Sequence, residues 1–246
     1  GAGPDTIVMI HHNDVVTVED FKRLRPFAFS PELLEEELKR IKDSFSPEIQ
    51  ADLEAGTYLY GRGVCDMKGG GAIQMALLRR YGALVEEDAE ALSGNLIVLA
   101  VPDEENLSAG MRTAVLLLAE LRDRYGLKYQ LMTNSEPHQR KDPEVGVLST
   151  GSVGKLMPFV YVRGYLAHVG KVFEGFNPVN LLSAIVRKTE VNMQLSDVLG
   201  KEAAPPPTWL FCRDQKLGYD VSIPLSAAGC LSVLTLNQTP ATLLEK

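Results

Sequence analysis

The sequence predicts an α/β fold: a mostly parallel sheet with helices on both faces, followed by a smaller α+β unit. Three observations carry this expectation. Short β-branched apolar runs alternate with helical stretches over the first 150 residues or so, and unbroken apolar runs are what strands covered on both faces of a parallel sheet look like. Near Leu148 the texture changes to strict alternation, which suits a strand with one wet face. Across 246 residues, 45% hydrophobic and 23% charged content is ordinary for a packed globular chain, long enough for one large domain or one domain and part of a second.

The elements follow in order. Residues 6–10, TIVMI, read as a buried strand. A Ser-Pro start at Ser30 opens SPELLEEELKRIKDSF, a helix with a largely solvated face. GGGAIQMALLRRYGALVEE is a second helix, apolar enough to be packed, and residues 95–101, NLIVLAV, are a second buried strand. AGMRTAVLLLAELRDRY is a third helix stopped by Gly126, and YQLMTN a third strand. GSVGKLMPFVYVRG then reads as one strand and NPVNLLSAIVRKTEVNMQL as a helix. EAAPPPTWLF reads as a loop kept extended by its prolines, GCLSVLTLN as a strand, and TPATLLEK as helix-like. The expected division is 1–150 and 151–246.

Bulk properties exclude several classes. A formal net charge of -7, with no basic patch among the scattered Lys and Arg, argues against nucleic acid or an anionic membrane as partner. No apolar run reaches 18 residues, so no membrane span is expected. The opening residues lack the pattern of a signal peptide, and Cys65, Cys212 and Cys230 are odd in number and far apart. Reduced thiols and a cytoplasmic location are the expectation.

Acidic and imidazole groups fall just past strand ends, where loops of an open α/β sheet converge on ligands. In HHND, His12 and Asp14 share one side of an extended chain while His11 points to the other and reads as structural. Asp14 is spaced to hold the imidazole tautomer of His12, with or without a metal. Asp103, Glu104 and Glu105 follow the second strand, either as a solvated lead-in to a helix or as a cluster that calls for a cation. Pro137 keeps Glu136 out of helical geometry, in a plain turn or aimed across a cleft. Asp66, among the glycines of GRGVCDMKGG, either caps the next helix or holds something its close-approaching backbone brings near.

The ordered stretches HHNDVV, GRGVCDMKGG, DEENLSAG and SEP, with VRGYLAHVGKVFEGFNP after them, resemble the co-catalytic zinc amidohydrolases that include carboxypeptidase G, aminoacylase, acetylornithine deacetylase and succinyl-diaminopimelate desuccinylase. The likeness runs from Ile7 to about Pro178, and the long link between His12 and Asp66 points to the branch named for arginine utilisation.

The resemblance implies a zinc-exopeptidase-like catalytic domain over 1–150 and an inserted lid and dimerisation domain over 151–246. It implies a hydrolase cleaving an amide bond in an N-acyl amino acid or small peptide, with homodimerisation through the lid. His12, Asp66, Glu105 and Glu136 would be metal ligands, Asp66 bridging two divalent ions. Zinc is the expected metal, with cobalt or manganese able to substitute. Asp14 would orient His12, Glu104 would be the general base, and His168 would stabilise the tetrahedral intermediate. In such a site the ions lower the pKa of water toward neutrality and clamp a developing oxyanion.

The family has a further histidine ligand beyond the lid, whereas the only histidines here are His11, His12, His138 and His168. The chain is therefore expected to be part of a longer protein. The alternative expectation is a non-catalytic, metal-deficient homologue that acts as a binding module.

Overall fold

The computed structural model describes residues 1–138, 142 and 144–245. It divides into two compact units, Gly1–Val147 and Leu148–Lys246. No helix among the described residues is long and apolar enough to cross a membrane.

The first unit is built on β1 (Asp5–His12), β2 (Asn95–Val101) and β3 (Lys128–Asn134), which are parallel and lie in the order β2-β1-β3. His12 pairs with Val101 and Ile10 with Asn134, so the three strands end at one sheet edge. α3 (Gly70–Glu87) connects β1 to β2 and packs on both, and α4 (Ala109–Tyr125) connects β2 to β3 and packs on β2. The second crossover returns past β1, so right-handed connections place the two helices on opposite faces. That reversal makes the gap between β1 and β3 the topological switch point, where ligands bind in open α/β sheets.

Only the central strand is buried as the sequence leads one to expect. Thr6, Val8, Met9, His11 and His12 of β1 are buried, whereas β2 is mostly half-buried and β3 mostly exposed. Among the described residues β1 has a neighbour on each flank, while β2 and β3 are outer strands with one each.

A helical insertion separates β1 from α3. It comprises a 3-10 stretch (Glu19–Phe27), α1 (Pro31–Arg40), a short 3-10 turn (Lys42–Ser44) and α2 (Pro47–Ala55). The single helix expected from Ser30 thus stops at Arg40. A second follows that the sequence reading did not anticipate, although Pro47 at its start and left-handed Gly56 (φ 63°) at its end are ordinary boundary signals. Arg62 ties the insertion to the loop that carries Asp66. Its guanidinium donates to both carboxylate oxygens of Asp20, at 2.5 and 2.6 Å, and lies 5.0 Å from the ring centre of Phe21. Its backbone N–H donates to the Ala28 carbonyl at 2.8 Å.

In the second unit β9 (Ser226–Thr235) is the centre of an antiparallel sheet. β4 (Gly154–Leu156) and β5 (Phe159–Arg163) pair along one flank and β8 (Thr208–Asp214) along the other. The strand expected over GSVGKLMPFVYVRG is broken into β4 and β5 at Pro158, which has no N–H to give a ladder. β8 lies where a loop was expected, because the three prolines end at Pro207 and the β-favouring TWLF follows them. α5 (Pro178–Thr189), capped by Asn177, covers the sheet around Val162, Leu182 and Ala227. A two-stranded ribbon, β6 (Val198–Leu199) and β7 (Glu202–Ala203), and the short α6 (Pro240–Leu244) complete the unit.

Candidate metal centre

His12 is the last residue of β1, and its side chain is 1% exposed. Its Nδ1 lies 3.1 Å from the Asp14 carbonyl oxygen and 3.5 Å from the Asp14 carboxylate. Nε2 points to the sheet edge and lies 2.9 Å from Asp66 Oδ1. The Asp14 carboxylate in turn accepts the backbone N–H groups of Glu104 and Glu105, each at 3.1 Å. Asp14 thereby fixes both, the buried imidazole through its carbonyl and the loop after β2 through its carboxylate.

Asp66 is no helix cap. It sits in a wide turn (Val64–Gly69) with φ -107° and ψ 104°, outside helical geometry, and no side chain caps α3. Its carboxylate faces His12 instead. Left-handed Gly63 (φ 79°) lets the turn form, and Lys68 Nζ donates to the Asn13 carbonyl at 2.9 Å, joining the turn to the segment after β1. Glu136, just past β3, brings Oε1 to 3.6 Å from His12 Nε2, and Glu104 brings Oε2 to 3.9 Å.

Donor atoms of His12, Asp66 and Glu136 all lie within 4.8 Å of one another. These residues come from three separate stretches of chain, and they meet at the β1/β3 switch point. Among the described residues this group does not include Glu105, whose backbone N–H donates to Asp14. His168 belongs to the second unit, where it is exposed and its Nδ1 accepts the Gly170 N–H at 3.0 Å. A neutral imidazole bonded that way carries its proton on Nε2, which leaves a donor facing outward. Cys65 is exposed and stands apart from the group.

The electrostatics are those of crowded carboxylates around one imidazole. Burial works against charge on His12. The Asp66 hydrogen bond outweighs it, together with the Asp14 carbonyl and the charges of Glu136 and Glu104, and holds the imidazole above its ordinary value of 6.5. Burial, followed by the adjacent Asp66 and Glu104, pushes Glu136 above the usual carboxylate range. Burial opposes ionisation of Asp14 as well, but the N–H groups of Glu104 and Glu105 prevail and hold it low. A cavity of about 200 Å³ opens beside these groups, with His12, Glu104 and Glu136 at its polar side and Ile10, Met67 and Met111 at its apolar side.

One imidazole nitrogen and two carboxylates, with no thiolate, form a donor set that suits zinc, cobalt or manganese. The clustering of acidic groups that raise one another's pKa is what a cation would relieve. The residues present therefore fit a divalent metal. Sequence reading missed Lys68 and Gln74, the latter bonded to His11 Nδ1 at 2.8 Å. The signal for Gln74 was an amide amid the apolar stretch GGGAIQMALL.

Comparison with known proteins gives the family and the fold. The model of the peptidase family M20/M25/M40 matches residues 14–230. The uncharacterized protein YqjN of Bacillus subtilis is 34% identical over 97% of this chain and 43% of its own length. Protein RocB of the same organism is 32% identical over 93% of this chain and 40% of its own. A succinyl-diaminopimelate desuccinylase of Gluconacetobacter diazotrophicus is 32% identical over 57% of this chain and 34% of its own. The chain thus spans less than half the length of these relatives. The crystal structure of human carnosine dipeptidase 1 covers all of this chain and 57% of its own, with a TM-score of 0.55 and 16% identity. That likeness is one of fold.

Proposed function

The chain belongs to peptidase family M20/M25/M40, and from that premise we propose that it forms the metal-binding part of a hydrolase that cleaves an amide bond in an N-acyl amino acid or small peptide. The observation that carries this reading is the meeting of His12, Asp66 and Glu136 donor atoms within 4.8 Å at the sheet's switch point. The fold supports the same reading.

His12, Asp66 and Glu136 would hold the first divalent ion, zinc by donor type, and Asp66 has a second carboxylate oxygen to offer a further ion. Glu105 is the proposed additional ligand, reached by rotation of its side chain from the loop that Asp14 pins. Bound metal supplies Lewis acidity at a substrate carbonyl and makes water a competent nucleophile near neutral pH. Glu104 is close to the donor group but outside it, the placement a general base needs. It takes the proton of the attacking water and passes it to the departing amine, so that the proton count closes over one turnover. Asp14 keeps His12 aimed at the centre from behind. His168, with an outward Nε2–H, is proposed to stabilise the tetrahedral intermediate. Residues 1–150 are the proposed catalytic part and 151–246 part of a lid through which the protein dimerises.

The test is metal analysis and amidase assay of the full-length protein against a panel of N-acyl amino acids and dipeptides. Stoichiometric divalent metal with chelator-sensitive hydrolysis is expected. Less than one ion per chain together with no hydrolysis would favour a metal-deficient binding homologue instead.

A further inference from the structure

Gln74, on α3, is 1% exposed, and its amide is engaged on both sides. Nε2 donates to the Ile10 carbonyl at 2.7 Å and to Ser135 Oγ at 2.9 Å, and Oε1 lies 2.8 Å from His11 Nδ1. The Ile10 carbonyl fixes the amide's orientation, because only an N–H can face it. Oε1 therefore accepts from the imidazole, which sets the tautomer of His11.

Every one of these partners lies within two residues of a member of the donor group. Ile10 and His11 lead into His12, Ser135 precedes Glu136, and α3 itself follows the turn that presents Asp66. One buried side chain thus bonds to the neighbours of two donors and is carried by the helix that continues from the third. The surroundings leave it little play. A Cβ at Gly70 would overlap the Ser135 carbonyl oxygen, and one at Gly71 would lie 2.8 Å from His11 Cδ2. The first turn of α3 is wedged between β1 and the segment after β3. A methionine of similar length would fill the same space without a buried amide. What the amide adds is direction, since three bonds to a planar group fix the distances between the segments they join.

We propose that Gln74 is a positioning residue that sets the spacing of His12, Asp66 and Glu136 from behind and so tunes how tightly they hold a divalent cation. This rests on reading that group as a metal centre. The test uses the full-length protein as wild type, Gln74→Met and Ser135→Ala. Zinc affinity is measured by chelator competition, the visible spectrum is recorded after cobalt loading, and thermal unfolding is followed in EDTA. At a temperature where circular dichroism shows each protein folded, Gln74→Met is expected to bind zinc about 10–100-fold more weakly and to shift the cobalt bands. Ser135→Ala, which removes only the bond on the Glu136 side, should lose less in the same direction, and it carries the test if Gln74→Met does not fold. Variants that melt earlier in EDTA yet keep wild-type zinc affinity and cobalt spectrum would reduce Gln74 to a packing role and overturn the proposal. A wild type that binds no zinc is a different failure, because it removes the metal centre itself.

Discussion

His12 faces opposing demands in the free and the metal-loaded site. Its two nitrogens lie against the Asp14 carbonyl and the Asp66 carboxylate, and these neighbours hold its pKa above 6.5. A folded-state pKa above the unfolded one contributes stability that is complete below the unfolded value and is lost as pH rises through the folded value. Glu136, also raised, acts in the same sense from its own lower starting point. Metal ligation reverses the sign, because Nε2 must give up its proton and binding then strengthens with pH. Thermal midpoints are therefore expected to fall as pH rises above 6.5 in chelator relative to a His12→Gln control, and the zinc-induced gain is expected to grow over the same rise. Glu104 makes a separate prediction, since it lies outside the donor group. Glu104→Gln should lower kcat by about 10²–10⁴-fold with metal content unchanged, the loss typical of a missing general base. Loss of metal in that variant would assign Glu104 to the ligands instead. At this scale the sequence was informative where a polar residue follows an apolar strand, as at His12, Glu104 and Glu136. At Gln74 the apolar stretch around the amide was a cue that did not suffice, because an amide inside a helix looks the same on a wet face as on a buried one until the packing is known.

α3 shows at the level of an element how glycine content divides into separate roles. Gly71 is buried against the His11 ring, whereas Gly82, on the same helix, is exposed with nothing within 4 Å of an added Cβ. Gly71→Ala is expected to destabilise the protein by about 1–3 kcal/mol through overpacking. Gly82→Ala is expected to stabilise it by about 1 kcal/mol, the ordinary helix preference for alanine. Denaturant titration of the two variants checks both signs, and equal effects would mean that α3 does not sit as tightly against β1 as the structure has it. Elements with strong periodicity or apolar runs, such as β2 and α4, were legible with nearly their observed bounds. α2 was not, because its nine residues show only a weak apolar stripe. β8 was hidden by the prolines immediately before it, and β4 and β5 looked like one strand because Pro158 interrupts the ladder without interrupting the alternation.

The whole chain holds two units, each with buried residues of its own: Val8, Met9, Val101 and Leu118 in the first, Val162, Leu182 and Ala227 in the second. The alternation of strand and helix made the first recognisable as α/β, and the onset of one-sided alternation near Leu148 signalled a change of architecture. What sequence could not supply is the strand order, since β2-β1-β3 follows from which edges pair and not from any local pattern. That order is what brings His12 and Glu136 to the same gap. Among the described residues the donor group lies wholly in the first unit, so a divalent ion held there would stabilise that unit directly. At a free concentration of 100 times Kd the gain is about 2.7 kcal/mol, or roughly 5–10 °C in the midpoint of a unit this size. Calorimetry of the chain is expected to resolve a transition that moves up by that amount with zinc and back down with EDTA, and a second that moves with neither. A single transition that shifts as one would mean the units unfold together. Zinc that moved only the transition assigned to 148–246 by a matching deletion would place the ion away from His12, Asp66 and Glu136.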